Sequence, residues 1–190
     1  MALKDLEKWN QKYGASDCLA GRDPCEWLAS NANLLKNSGR ALDLAMGEGR
    51  NAIYAASLGY EVLGVDISDI GVDRAKQLAR QKGLTIQAEV ADLDEYTIPE
   101  KAFDLILCFY FLDRRLYPQI RRGLKPGGMI LFETFSEGHL QYSGFKKEWV
   151  LKSNELIQEF MDLHILHYRE VDDPEEQKAF ASIAACQWNS

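Results

Sequence analysis

Ala41-Leu42-Asp43-Leu44-Ala45-Met46-Gly47-Glu48-Gly49-Arg50-Asn51-Ala52 reads as an apolar strand, a glycine turn and the opening of a helix. Gly47 and Gly49 let the backbone turn sharply and approach a ligand. The first amides of the helix have no partners inside it and face that ligand. Gly47-x-Gly49-x-x-Ala52 fits the dinucleotide fingerprint, which alone is a weak signal. An ordinary tight strand-to-helix turn is the alternative.

Two acids shift the reading. Asp66 ends the next apolar run, Val62-Leu63-Gly64-Val65, about twenty residues after the first glycine, where such folds place a carboxylate for ribose hydroxyls. Asp43 lies inside the first strand, where a carboxylate is costly without partners. Hydride transfer has no need of it. A cofactor bearing an ammonium group, or a loop whose amides need an anchor, gives it a use.

Asp43-Leu44-Ala45-Met46-Gly47-Glu48-Gly49 resembles the first motif of class I S-adenosylmethionine-dependent methyltransferases. Asp66, Asp92-Leu93 and Leu124-Lys125-Pro126-Gly127-Gly128 fall at that family's later landmarks. The Gly-Glu-Gly-Arg-Asn-Ala wording and the ending Leu131-Phe132-Glu133-Thr134-Phe135 are similar to the small bacterial tellurite-resistance methyltransferases. The family usually carries Gly at the place of Ala45, and often a small polar residue or Cys at that of Met46.

The rest of the chain is consistent with that fold. Its 190 residues are the length of one domain. The predicted division is a helical cap over residues 1–37, a cofactor-binding core over 38–134, and a lid loop, helix and hairpin over 135–190. Strands are expected at Ala41–Met46, Glu61–Val65, Leu84–Val90, Phe103–Leu112 and Met129–Phe132, with helices between them. Two further strands, Leu163–Val171 and Lys178–Trp188, are joined through Asp172-Asp173-Pro174-Glu175-Glu176. The expected fold is α/β: a doubly wound, Rossmann-like, seven-stranded, mostly parallel sheet with a C-terminal antiparallel hairpin and helices on both faces. A NAD-dependent oxidoreductase would end its sheet with parallel strands instead.

The formal net charge of −7 argues against a broad nucleic-acid face. No apolar run is long enough to span a membrane. Met1-Ala2-Leu3-Lys4-Asp5-Leu6-Glu7 lacks the apolar core of a signal peptide, so a cytoplasmic protein is expected. Cys18 and Cys25 are too far apart for a Cys-x-x-Cys motif, Cys108 and Cys186 lie in apolar runs, and no metal site is expected. Arg114, Arg115, Arg121 and Arg122 are either a steering patch for an anion or a solvated helix face.

The resemblance assigns the roles. S-adenosylmethionine is the implied cofactor. Ala45, Gly47 and Gly49 would face its methionine part, and Asp43 would hold the loop and act on the ammonium. Asp66 would accept from the ribose hydroxyls, and Ile67 would pack on adenine. Asp92 would receive the adenine amino group, while Leu93 adds a backbone amide. Cys108 would lie beneath the methionine portion. Trp9 and Tyr13 match an N-terminal segment that folds over the cofactor, though a helix packed on the sheet edge is an equal reading.

The acceptor is expected to be a small molecule, with a thiol or an oxyanion favoured. Methylation of exocyclic base amines would call for Asn or Asp, Pro-Pro and an aromatic where this chain reads Cys108-Phe109-Tyr110-Phe111. Tyr110 and Phe111 suggest an apolar floor. The loop from Ser136 to Lys147 is a candidate lid, and His139 and Tyr142 are its candidate bases. A protein that binds the cofactor without transferring its methyl group would carry the same cofactor residues.

Overall fold

The computed structural model describes residues 2–15, 21–36 and 38–189. Cys18 lies outside the described residues. One mixed sheet of seven strands has the order β3-β2-β1-β4-β5-β7-β6. The strands are β1 (Gly39–Leu44), β2 (Tyr60–Asp66), β3 (Gln87–Val90), β4 (Phe103–Phe109), β5 (Leu124–Phe135), β6 (His164–Asp173) and β7 (Lys178–Cys186). The first five are parallel, and β7 runs antiparallel between β5 and β6. Chain order reverses between β1 and β4. In an open α/β sheet, that switch point opens the crevice in which ligands bind.

The helices are α1 (Ala2–Gly14), α2 (Glu26–Ser30), α3 (Arg50–Ser57), α4 (Asp69–Gln81), α5 (Tyr117–Gly123) and α6 (Glu155–Glu159). Their apolar sides form two cores, one on each face of the sheet. Trp27, Leu28, Ala52, Ala55, Val72 and Ala75 pack with Leu105, Leu107 and Leu131 on one face. Leu116, Ile120, Leu156 and Phe160 pack with Leu42, Ile106 and Phe132 on the other. Alternate residues of β4 therefore enter opposite cores, as a central parallel strand requires.

Both strands beside the switch point end earlier than the apolar runs suggest. β1 stops at Leu44 because Ala45 adopts a left-handed backbone, φ 54°. β4 stops at Phe109 because Tyr110 does the same, φ 56°. Such angles are uncommon outside glycine and mark places where the surroundings impose the turn. β3 begins at Gln87, three residues later than expected, because this edge strand pairs with β2 only over Gln87–Val90. β5 extends at both ends. The Lys125–Gly128 turn is absorbed as a bulge between Leu124 and Met129, tied to the chain end by Gly127 N to Gln187 O at 3.0 Å.

Met46 settles in the core. Its thioether packs directly on the bare backbone of Gly64 in β2, where a side chain would collide with it. The glycine turn is equally tight. Gly49 caps α3 at φ 78°, and a Cβ there would stand 2.7 Å from the Ala75 Cβ in α4. Gly49→Ala therefore meets both backbone strain and overpacking. It should lower unfolding free energy by about 2–4 kcal/mol, read by urea denaturation. A change within experimental error would mean that the turn is not held in this conformation.

Candidate functional site

The carboxyl ends of β1, β2, β4 and β5 meet at the switch point, and most of the expected site residues lie there. Asp43 is 1% exposed. The Ala52 amide of α3 donates to its carboxyl group, while Oδ2 makes no hydrogen bond among the described residues. Burial pushes this carboxyl up to about 8; nearby Asp66 adds to the rise, while the Ala52 amide and Arg50 oppose it. An orphaned buried oxygen behind a glycine loop fits a group that brings a donor or a positive charge.

Asp66 closes the same corner from β2. Its Oδ2 accepts from Gly47 N and its Oδ1 from Ser68 N, each at 2.8 Å. The carboxylate thus ties the glycine loop to the start of α4. Burial raises its pKa, and the amides of Ser68, Gly47 and Ile67 oppose the rise. Ser68 Oγ caps α4 by accepting from Gly71 N at 3.0 Å. Ile67 is half-buried beside them.

α1 lies across this corner. Tyr13 is buried, and its hydroxyl comes within 2.5 Å of where a Gly47 Cβ would stand. Asn10 accepts from Ser68 Oγ at 2.5 Å and donates to Asp69 Oδ1 at 2.6 Å. The helix packs on the glycine loop and α4, not on a sheet edge. At the third strand end, Asp92 is half-buried, and its Oδ1 accepts from Asp94 N at 2.9 Å. Leu93 next to it is buried. Cys108 is sealed in the core, its thiol raised well above the ordinary range by burial.

The segment from Ser136 to Lys147 is less open than a lid loop. Glu137–Gln141 form a 3₁₀ turn, Ser136 N donates to Ala179 O at 3.0 Å, and Glu137 N donates to Leu151 O at 2.9 Å. His139 stacks on Phe135 with ring centroids 4.1 Å apart, and its buried Nδ1 has no partner among the described residues. Burial and Lys178 lower its pKa, favouring the neutral ring. Tyr142 is held elsewhere: its hydroxyl donates to Asp172 Oδ1 at 2.7 Å, which raises its pKa and works against its acting as a base. His139 faces the strand ends, and Tyr142 faces the hairpin.

The four arginines do not form a free patch. Arg114 pairs with Glu155 at 2.8 Å, Arg115 with Asp94 and Asp113, Arg121 with Glu159 and Asp162, and Arg122 with Glu100. Arg114 also donates to Glu148 O and Val150 O, so it anchors the segment leading to α6. Among the described residues, no group of three or more His, Cys, Asp or Glu side chains is placed to hold a metal ion. No helix among them is long and apolar enough to cross a membrane.

One cluster was not singled out by the sequence. Glu133 of β5 is 3% exposed, and its carboxylate accepts from Tyr110 Oη at 3.0 Å, Ser182 Oγ at 2.6 Å and Arg169 Nη2 at 3.2 Å. An acid directly after the apolar run Met129–Phe132, inside the buried strand β5, is the same signal as Asp43.

Residues 41–128 match the family model described as a methyltransferase domain. Over this segment the chain is similar to methyltransferase domains. Over 106 residues the chain is 31% identical to a ubiquinone biosynthesis O-methyltransferase of Coxiella burnetii, covering 53% of this chain and 45% of that protein. It is 27% identical over 138 residues to the probable S-adenosyl-L-methionine-dependent methyltransferase TehB of Haemophilus influenzae, covering 69% and 48%. The crystal structure of that TehB superposes with a TM-score of 0.71 at 21% identity, covering 84% of this chain and 61% of its own. The chain thus spans about half the length of the curated relatives it matches. The cofactor of this family is S-adenosylmethionine, and the Asp43 corner fits it.

Asp43 makes stability depend on pH in a defined direction. The folded state holds its proton more tightly than the unfolded chain, whose carboxyl titrates near 3.8. This contribution is full below that value and is lost as pH rises towards about 8. Between pH 5 and 8 the cofactor-free protein should lose up to about 1.4 kcal/mol per pH unit from this group. Asp43→Asn should flatten that slope in urea titrations. Parallel curves for both proteins would show that Asp43 ionises normally.

Proposed function

We propose that the protein transfers a methyl group from S-adenosylmethionine to a small acceptor, with a thiol or an oxyanion favoured. The observation that carries this reading is the Asp43–Gly47–Gly49–Asp66 corner at the switch point, within a domain of the methyltransferase family. When bound, the cofactor supplies a methyl group already activated on a sulfonium. What remains for the chain is to hold, orient and exclude water.

The residues divide that work. The loop of Ala45, Gly47 and Gly49 and the first amides of α3 face the methionine portion, with Cys108 beneath it. Asp43 receives the ammonium, directly or through water. Asp66 receives ribose hydroxyls on lone pairs not used by Gly47 N and Ser68 N. Ile67, Asp92 and Leu93 hold the adenine, and Tyr13 covers the corner from α1. The acceptor lies against Tyr110, Phe135 and His139, an aromatic wall that suits a compact nucleophile. One relative, the ubiquinone biosynthesis O-methyltransferase, supports an acceptor that is not a macromolecule.

Cofactor binding and turnover test the two halves separately. S-adenosylmethionine or S-adenosylhomocysteine should raise the melting temperature, corresponding to about 2.7 kcal/mol at a hundredfold excess over Kd, and NAD should not. A shift with NAD alone would overturn the cofactor assignment. Stabilisation by S-adenosylmethionine with no transfer to any thiol or oxyanion acceptor would favour a binding protein over an enzyme.

A further inference from the structure

We propose that the Tyr110 hydroxyl binds the acceptor and that Tyr110 and Glu133 form a relay for its proton, which makes the acceptor a small neutral thiol. The proposal rests on the methyltransferase reading and adds the acceptor's chemical class.

Tyr110 is placed for this. It follows β4 directly at the switch point and leaves the strand through a left-handed backbone, φ 56°. A bulky aromatic in that conformation costs free energy unless its surroundings require it. The turn carries the ring out of the strand row, so that it is 43% exposed while its hydroxyl reaches inward. The ring packs on Phe135 at 5.4 Å and under the Arg50 guanidinium at 5.6 Å. Arg50 opens α3 immediately behind the glycine loop. Tyr110 therefore stands between the cofactor loop and the end of β5.

Its hydroxyl is held from behind. It donates to Glu133 Oε1 at 3.0 Å, which leaves the phenolic oxygen as an acceptor. Glu133 is fixed in turn by Ser182 Oγ and Arg169 Nη2, both on Oε2. Arg169 also lies over the rings of Trp27 and Phe180 and faces Glu26 at 3.8 Å. The remaining ionisable neighbour is Cys25, whose Sγ shares a hydrogen bond with Tyr110 and accepts from Arg50 Nη2 at 3.1 Å. A thiol sulfur already rests beside this hydroxyl, in surroundings of aromatic rings and a guanidinium. A polarizable acceptor sulfur finds the same contacts.

The step balances without another reactant. The acceptor sulfur forms a bond to the methyl carbon as the methyl–sulfonium bond breaks, and that electron pair returns to the cofactor sulfur. The acceptor's proton passes to the Tyr110 oxygen while Tyr110's own proton passes to Glu133 Oε1. Glu133 then releases it to water after the thioether leaves. Sulfur becomes strongly acidic as it is alkylated, so a carboxylate is base enough. Tyr110 touches the acceptor. Glu133 acts through it as a positioning residue and proton sink.

The test is the pH dependence of kcat/KM for 2-mercaptoethanol with S-adenosylmethionine, in wild type, Tyr110→Phe and Glu133→Gln. With a relay the reactive species is the neutral thiol, which loses its proton only as the methyl group arrives, so wild-type kcat/KM should be flat from about pH 6 to 8. Tyr110→Phe keeps the ring packing but must wait for free thiolate, so its kcat/KM should rise about tenfold per pH unit in that range. Glu133→Gln should behave likewise; where loss of the Arg169 partner prevents its folding, Tyr110→Phe alone decides. A wild-type profile as steep as that of Tyr110→Phe overturns the relay. So does an absence of transfer to the thiol by protein that binds S-adenosylmethionine in calorimetry. The methyltransferase reading fails separately, on loss of cofactor binding itself.

Discussion

A carboxyl group sealed at the end of the central strand is the constraint around which the rest is arranged. Asp43 has Gly64 of β2 on one side and Leu107 of β4 on the other, so no water reaches it laterally. One amide satisfies part of it, and the other oxygen has no protein partner among the described residues. Such a group is costly in a cofactor-free fold. Its surroundings are built to keep it in place: Ala45 turns left-handed directly after it, Met46 drops onto Gly64, and Asp66 fastens Gly47 from the neighbouring strand.

The second strand of the crevice repeats the device. Ala45 after β1 and Tyr110 after β4 both leave their strands at positive φ, and each is followed or backed by a buried acid. On the β1 side the acids are Asp43 and Asp66, and they face the glycine loop and the start of α3. On the β4 side the acid is Glu133, with its donors drawn from the C-terminal hairpin. Antiparallel β7 brings Ser182 beside Glu133 in register, so the hairpin is what completes this buried cluster.

Much of this was legible in the sequence because it rests on local patterns. Alternating apolar runs and helical faces gave the strand and helix order. Gly47, Gly49, Asp43 and Asp66 lie within one strand-turn-helix-strand unit, so their grouping needed no long-range knowledge. The strand ends were not legible, since Ala45 and Tyr110 are not residues that signal a left-handed turn. Glu133 carried the same mark as Asp43, but its partners Arg169 and Ser182 lie 36 and 49 residues away and only the sheet order unites them. The pairing of the arginines after β4 was not legible because, apart from Asp113, their acids Asp94, Glu100, Glu155, Glu159 and Asp162 are scattered along the chain. Met46 stood out as a departure from the family pattern, and the space over Gly64 that receives its side chain is visible only in the folded sheet.

The role of Asp43 can be read directly from protons. Its carboxyl is held mostly protonated at pH 7 by burial, and a bound ammonium would favour the ionised form. Calorimetric titration of S-adenosylhomocysteine at pH 7, in two buffers of different ionisation enthalpy, counts protons released on binding. Wild type should release up to about one proton more than Asp43→Asn. The same count in both proteins would contradict the assignment of this buried acid to the cofactor.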